Sequence, residues 1–235
     1  LTARVVMKTI AQEHGLHCTF MPRPLADMPG SGMHTHQSLH DCNSGENLFA
    51  QPSHEYGLSE IARQFLAGQL AHARGMSAVL SPLVNSYKRL GNSLEAPTHV
   101  TWAQVNRGAL IRVPSTAPGK ESHTRLELRC PDPSSNPYLA KAVMLMAGLD
   151  GIRHKMELPE PLEEGLLFGS TRRRGQESLP TSLAEALEEM SVDSVVMNAL
   201  GSFIGDHYLA AKHKEVTAYN RQITTWEVEQ YINRY

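Results

Sequence analysis

The stretch Arg125-Leu126-Glu127-Leu128-Arg129 alternates charged and apolar residues without a break. Successive strand side chains point to opposite faces, so the pattern turns both leucines into a core and sets two guanidiniums on either side of one carboxylate. A chain carrying it is constrained to build a sheet with one greasy face and one highly charged face. Solvated strand faces more often use lysine and threonine, whereas arginine offers a rigid fork matched to carboxylate or phosphate oxygens. Between two arginines, Glu127 is expected to stay ionised, as a metal ligand must.

The arginines of this strand belong to a larger concentration. Arg89, Arg107, Arg112, Arg125 and Arg129 fall within 41 positions, with Lys88 beside the first, while the acids between Lys88 and Arg129 are only Glu95, Glu121 and Glu127. The whole chain, by contrast, is near neutral, with 22 Lys+Arg against 24 Asp+Glu in 235 residues. That balance disfavours a nucleic-acid wrapper or a polybasic membrane protein. A local surplus of fixed cations predicts an anion larger than one carboxylate to offset the self-repulsion.

A second alternating stretch, Met33-His34-Thr35-His36-Gln37-Ser38-Leu39, predicts another strand, with His34, His36 and Ser38 on one face. Two imidazoles at this spacing suit a metal ion or an anionic phosphate, but taken alone the pair is a weak signal that more often marks a hydrogen-bonded structural feature. The Gly30-Ser31-Gly32 turn just before them permits close approach of a ligand to the backbone.

The rest of the chain supplies scaffold. Helices are expected over Thr2 to Gln12, over Leu58 to about Leu80 with Ser59 as cap, and from Asn136-Pro137 with an apolar stripe of Leu139, Val143, Leu145, Met146 and Leu149. The chain after Ser182 is expected to be helical throughout. Extended segments are expected over Leu16 to Met21, Trp102 to Val113 and Thr124 to Leu128, with a turn at Pro118-Gly119-Lys120. A solvated connection runs from Gly151 to about Pro180 and carries Arg172-Arg173-Arg174. Cys18, Cys42 and Cys130 form no Cys-x-x-Cys pair, which argues for a reducing, cytoplasmic setting and against a thiolate zinc site. No apolar run is long enough to span a bilayer.

Histidines, a strand carboxylate and surplus guanidiniums together suggest a divalent metal bridging to phosphates. Neither a Walker loop nor a kinase signature is present. The residues that are present resemble the glutamine synthetase superfamily: Gly30 through Leu39, Asn85-Ser86-Tyr87-Lys88-Arg89-Leu90 with Glu95-Ala96-Pro97, Asn106-Arg107 through Pro114, Arg125 through Pro133, Asn136 through Ala140, and Ala147 through Ile152.

That resemblance implies an α+β fold, a curved and mainly antiparallel sheet backed by long helices, with residues 1–235 forming part of a catalytic domain. It implies an ATP-dependent ligase that joins glutamate and ammonium through γ-glutamyl phosphate, using Mg or Mn. His34 and Glu127 are implied as metal ligands, His36 and Ser38 as nucleotide contacts, and Arg107, Arg112 and Arg125 as phosphate-facing groups. Gly30, Arg89 and Arg129 fall at the amino-acid subsite, and Glu95 in the segment of a mobile flap that takes a proton from ammonium. The family's ring-shaped homo-oligomers are likewise expected of the full-length protein.

Two departures qualify these expectations. Pro29 stands where the family commonly has Asn, so glutamate and ammonium specificity are open, and a γ-glutamylamine ligase is an alternative. The family's small amino-terminal β-grasp domain and its other metal-binding glutamates find no match here, so the chain by itself is expected to lack turnover. A non-catalytic relative kept for assembly or binding is the reading from another class.

Overall fold

Leu126 and Leu128 are fully buried, and Glu127 and Arg129 beside them are nearly so. In the computed structural model, which describes residues 1–91, 96–163 and 177–235, these residues form the centre of a four-stranded sheet. Its strands are β1 (Thr35–Gln37), β2 (Trp102–Ala103), β3 (Ile111–Arg112) and β4 (Leu126–Leu128), in the order β1-β4-β3-β2. The β1–β4 and β3–β4 pairs are antiparallel and the β2–β3 pair is parallel. The α+β class and the mainly antiparallel sheet expected from the sequence are therefore observed.

The helices, α1 (Thr2–Glu13), α2 (Glu60–Ala71), α3 (Ala73–Leu80), α4 (Val84–Leu90), α5 (Pro137–Arg153), α6 (Leu183–Val192), α7 (Ser194–Asn220) and α8 (Thr225–Tyr231), supply the second layer. Their starts follow the sequence. The side chains of Ser59, Asn136 and Ser182 accept backbone N–H bonds at the first turns of α2, α5 and α6, and Pro137 occupies the first turn of α5. Ile111, Leu126 and Leu128 from the sheet join Phe65, Leu66, Met76, Val143, Leu183 and Leu187 from the helices in one core. Where α2 crosses α5, a Cβ on Gly68 would meet the Ala147 carbonyl oxygen at 2.2 Å and one on Gly151 would meet that of Gln64 at 2.1 Å. Backbone-to-backbone contact of that kind admits glycine alone.

Several expectations need correction. The helix expected from Leu58 to Leu80 is two helices, broken at His72 (φ −100°, ψ 9°), where the imidazole is drawn between two aspartates. The extended stretch Trp102 to Val113 yields only β2 and β3. Between them the Gln104 and Val105 amides donate to the Glu163 carboxylate, and Asn106 Oδ1 accepts from the Gly108 amide, so those donors are lost to a strand ladder. Leu16 to Met21 pairs with nothing and is not a strand. Nor is any residue of α1 buried. The buried face of α5 is Ala140, Val143, Met144, Ala147, Gly148 and Gly151; of the predicted stripe Val143 lies on it and Leu139 packs against the core, whereas Leu145 points outward. Small residues line it because α2 approaches so closely. Glu95 and Arg172-Arg173-Arg174 lie outside the described residues. Among those described, no helix is long and apolar enough to cross a membrane.

Candidate active site

The sheet's polar face is organised around one carboxylate. In register, His36 of β1 and Arg112 of β3 lie directly opposite Glu127 of β4, so the three side chains form a row across the sheet. Oε2 of Glu127 accepts from Nε of Arg112 at 2.6 Å, and Nη2 of the same guanidinium lies 2.6 Å from that oxygen as an ion pair. Oε1 accepts from Nη1 of Arg129 at 2.8 Å, and Nδ1 of His34 lies 3.2 Å from the same oxygen. Residues from two distant stretches of the chain thus meet on one carboxylate, as the alternating patterns predict.

Burial by itself would raise the Glu127 pKa. The Arg112 hydrogen bond and the charges of Arg112 and Arg129 outweigh it and hold the carboxyl below its usual range. Burial also lowers His34, aided by the charge of Arg129 and opposed by Glu127. His36 is lowered by burial too, with Arg125 and Arg112 adding to it against Glu127. An ionised carboxylate beside imidazoles biased toward the neutral form is the protonation state that metal ligation requires.

The other expected site residues fall into three groups. Arg125 turns to the row, its Nε donating to His36 Nδ1 at 3.2 Å and its Nη1 to the His123 carbonyl at 3.0 Å. Arg107 is exposed on the β2–β3 connection, and Ser38 is exposed with its hydroxyl 3.1 Å from His40 Nε2. Arg89 is buried behind the face, and its guanidinium donates to the carbonyls of Arg129 (3.0 Å), Cys130 (2.8 Å) and Pro131 (3.4 Å). Burial lowers the Arg89 pKa, and the nearby Asp132, itself raised by burial, opposes that.

The glycine turn rests on this buried arginine. A Cβ on Gly30 would meet the Pro22 carbonyl oxygen at 2.5 Å and Arg89 Cγ at 3.1 Å, and one on Gly32 would meet Arg89 Nη2 at 2.6 Å. Both positions therefore need glycine because the loop lies flat on Arg89. Part of the cation surplus is met inside the fold: Glu127 takes Arg112 and Arg129, and backbone carbonyls take Arg89. What remains is one carboxylate among Arg112, Arg125 and Arg129, a local surplus of positive charge facing outward.

The comparisons with known proteins agree with this geometry. The family model described as the glutamine synthetase catalytic domain matches residues 1–231. The chain belongs to the glutamine synthetase family. It is 47% identical over 237 residues to the glutamine synthetase of Thermus thermophilus, covering 100% of this chain and 52% of that protein. It is 46% identical over 234 residues to that of Thermotoga maritima, covering 98% and 52%. A solved GmaS–ADP complex superposes with a TM-score of 0.88 at 36% identity, covering 97% of this chain and 52% of that one. The chain thus spans about half the length of the curated relatives it matches.

Members of this family generally use ATP and divalent metals, and the residues fit a share of such a site. The 3.2 Å between His34 Nδ1 and Glu127 Oε1 is close to the roughly 3 Å edge between neighbouring ligands held at about 2.1 Å from a hard octahedral cation. A carboxylate offers about four acceptor positions. Arg112 Nε fills one on Oε2 and Arg129 Nη1 one on Oε1, so Oε1 keeps a position next to His34. Two donors are well short of the six that a hard cation takes, and no group of three or more His, Cys, Asp or Glu side chains suited to a metal occurs among the described residues.

Sequence reasoning missed two features near the site. One is the role of Arg89 as support for the glycine turn; its signal was the Gly-x-Gly spacing, which was read for ligand approach only. The other is a buried carboxamide pair, Gln37 with Gln69, beneath β1. An isolated Gln within the apolar pattern of α2 was the available clue.

Proposed function

We propose that this chain forms part of the catalytic domain of an ATP-dependent carboxylate–amine ligase that makes glutamine from glutamate and ammonium. The observation that carries the reading is the ionised Glu127 held between Arg112 and Arg129 with His34 at 3.2 Å, on a face with cationic charge to spare. In the reaction, a γ-carboxylate oxygen of glutamate bonds to the terminal phosphorus of ATP as the bond to ADP breaks. The amine nitrogen then attacks the acyl carbon, phosphate leaves, and the amine gives up a proton.

His34 and Glu127 would hold Mg or Mn, with the remaining ligands coming from phosphate oxygens, water or other protein segments. The metal supplies Lewis-acid neutralisation of phosphoryl charge. Arg107, Arg112 and Arg125 offer fixed donors to the phosphate oxygens, which cost no reorganisation when charge shifts in the transition state. His36 and Ser38 contact the nucleotide. Gly30, Arg89 and Arg129 shape the amino-acid subsite, Arg89 by supporting the glycine turn, and Glu95 accepts the ammonium proton. The full-length protein works in the cytoplasm as a homo-oligomeric ring, with no nucleic-acid or membrane partner.

A second reading, ligation of another amine, is favoured by Pro29 beside Gly30 and by the likeness to the GmaS structures. The test is γ-glutamyl hydroxamate formation from glutamate, ATP and hydroxylamine, followed by a panel of ammonium, methylamine and polyamines. The full-length protein is expected to turn over and the 235-residue chain alone is not. Turnover by the chain alone overturns the partial-site reading. A full-length protein that binds ATP but ligates no amine overturns the ligase and leaves a binding or assembly role.

A further inference from the structure

The polar face depends on β1, a short edge strand. It has three residues, lies at the edge and pairs on one side only. Because side chains alternate, a slip of one residue would turn His34 and His36 into the helical layer and present Thr35 and Gln37 to the phosphates instead. Something must hold the register of so short a strand.

Beneath β1, Gln37 meets Gln69 of α2 in a reciprocal carboxamide pair. Gln69 Nε2 donates to Gln37 Oε1 at 2.7 Å, and Gln37 Nε2 donates to Gln69 Oε1 at 3.2 Å. The second donor of Gln69 goes to the Met144 carbonyl of α5 at 3.0 Å. Gln69 is completely buried among Phe65, Leu66 and Leu70 of its own helix. An amide in such a place is costly unless every polar atom is paired, and here each one is. Leucine would fill similar space without that demand. A directional polar pair in an apolar layer is best attested as a device that fixes register.

Among the described residues these two bonds are also the side-chain hydrogen bonds that join β1 to the helices. We propose that Gln69, acting through Gln37, is a positioning residue that locks β1 in register and so aims His34 and His36 at Glu127. Its consequence for catalysis rests on the ligase reading above, while its consequence for the two imidazoles does not.

The experiment compares Gln69→Leu, Gln37→Leu and the double variant. In the full-length protein, either single variant is expected to raise KM for Mg-ATP by roughly three- to tenfold, the factor one hydrogen bond is worth, with KM for glutamate unchanged. The double variant, whose apolar pair leaves no amide orphaned, is expected to regain the wild-type melting temperature and keep the raised KM. Recovery of KM in step with melting temperature would make the pair merely structural and overturn the proposal. So would an unchanged KM for Mg-ATP in a folded single variant.

A second arm keeps the result independent of the ligase. The imidazole proton–nitrogen cross-peaks of His34 and His36 are recorded on the 235-residue chain at one fixed pH, with His54 as the remote reference. Both should move in Gln69→Leu while His54 stays. If they do not move in the folded variant, the positioning role fails whatever the protein catalyses. If they move and the full-length protein shows no ATP-dependent turnover, the ligase reading fails and the positioning role stands.

Discussion

Among the described residues, one histidine–carboxylate cluster on the sheet and another among the helices are built to opposite plans. On the sheet, a single carboxylate, Glu127, is surrounded by Arg112, Arg129 and His34. Among the helices, a single imidazole, His72, is surrounded by carboxylates: Nδ1 lies 2.8 Å from Asp193 Oδ2 and Nε2 lies 3.2 Å from Asp150 Oδ2. Positive charge is in excess in the first and negative charge in the second. The electrostatic results are accordingly opposite, with His34 lowered by burial and Arg129, and His72 raised by its bond to Asp193 against the effect of burial.

The surroundings decide which of the two can accept a ligand. Asp193 also caps α7, its Oδ1 accepting from the amides of Val195 and Val196, and Asp150 has His154 one turn on. The acceptors of the helical cluster are thus committed within the fold. A Cβ on Gly75 would touch Asp193 Oδ2 at 2.6 Å, so the space is closed as well. Glu127 instead lies on a face that is open above His34 and carries more guanidiniums than carboxylates. An ionic cluster whose acceptors are filled within the fold holds helices together, whereas one with surplus positive charge toward solvent is an anion site in waiting.

The largest expected effect comes from removing the charge at the centre of the sheet cluster. Glu127→Gln leaves Arg112 and Arg129 facing one another with no anion between them. Stranding partners of a buried ion pair costs about 3 kcal/mol or more, visible as a lowered urea midpoint of this chain. In the full-length protein, hydroxamate formation should fall by at least about 100-fold. Activity within tenfold of wild type would remove Glu127 from the chemistry and with it the contrast between the clusters.

Next in size is the converse change. Asp193→Asn keeps an oxygen for the Val195 and Val196 amides and withdraws the charge from His72. The expected cost is about 1–3 kcal/mol of stability, read by urea unfolding, with KM for ATP and glutamate unchanged in the folded full-length protein. A rise in either KM without loss of stability would mean that the helical cluster takes part in the site after all.

The sheet cluster was legible in the sequence because alternation is a local code: Arg125 to Arg129 and Met33 to Leu39 state which side chains share a face. Which arginines Glu127 consumes was not legible, since Arg112, Arg125 and Arg129 are alike in pattern and differ only in the register that tertiary pairing sets. The helical cluster was invisible for a similar reason. His72, Asp150 and Asp193 are scattered singly along the chain, and their meeting depends on the crossing of α2, α3, α5 and α7. The break at His72 follows from that meeting, so an apolar pattern running from Leu58 to Leu80 could not show it. The predicted stripe of α5 found Val143 and Leu139 but not the small-residue face, because glycines, which carry no hydropathy signal, set the close approach to α2.

The smallest effect, and the one that separates the clusters most directly, is the pH dependence of stability. His72 is raised above the ordinary 6.5 in the folded chain, so its contribution is fully present below 6.5 and is lost as pH rises through its folded value. His34 and His36 are lowered, so their contribution is present above 6.5 and is lost as pH falls through their folded values. The two sets act in opposite directions in the intact chain, which is why variants are needed. Subtracting the unfolding free energy of His72→Gln from that of the wild type should give a difference that is largest on the acid side of 6.5 and shrinks as pH rises. The same subtraction with His34→Gln should give a difference that shrinks as pH falls. Each change is modest because even a tenfold change in proton affinity is worth only about 1.4 kcal/mol. Two difference curves that slope the same way with pH would mean that one kind of charge dominates both places, and the distinction between a closed helical latch and an open anion-binding face would fail.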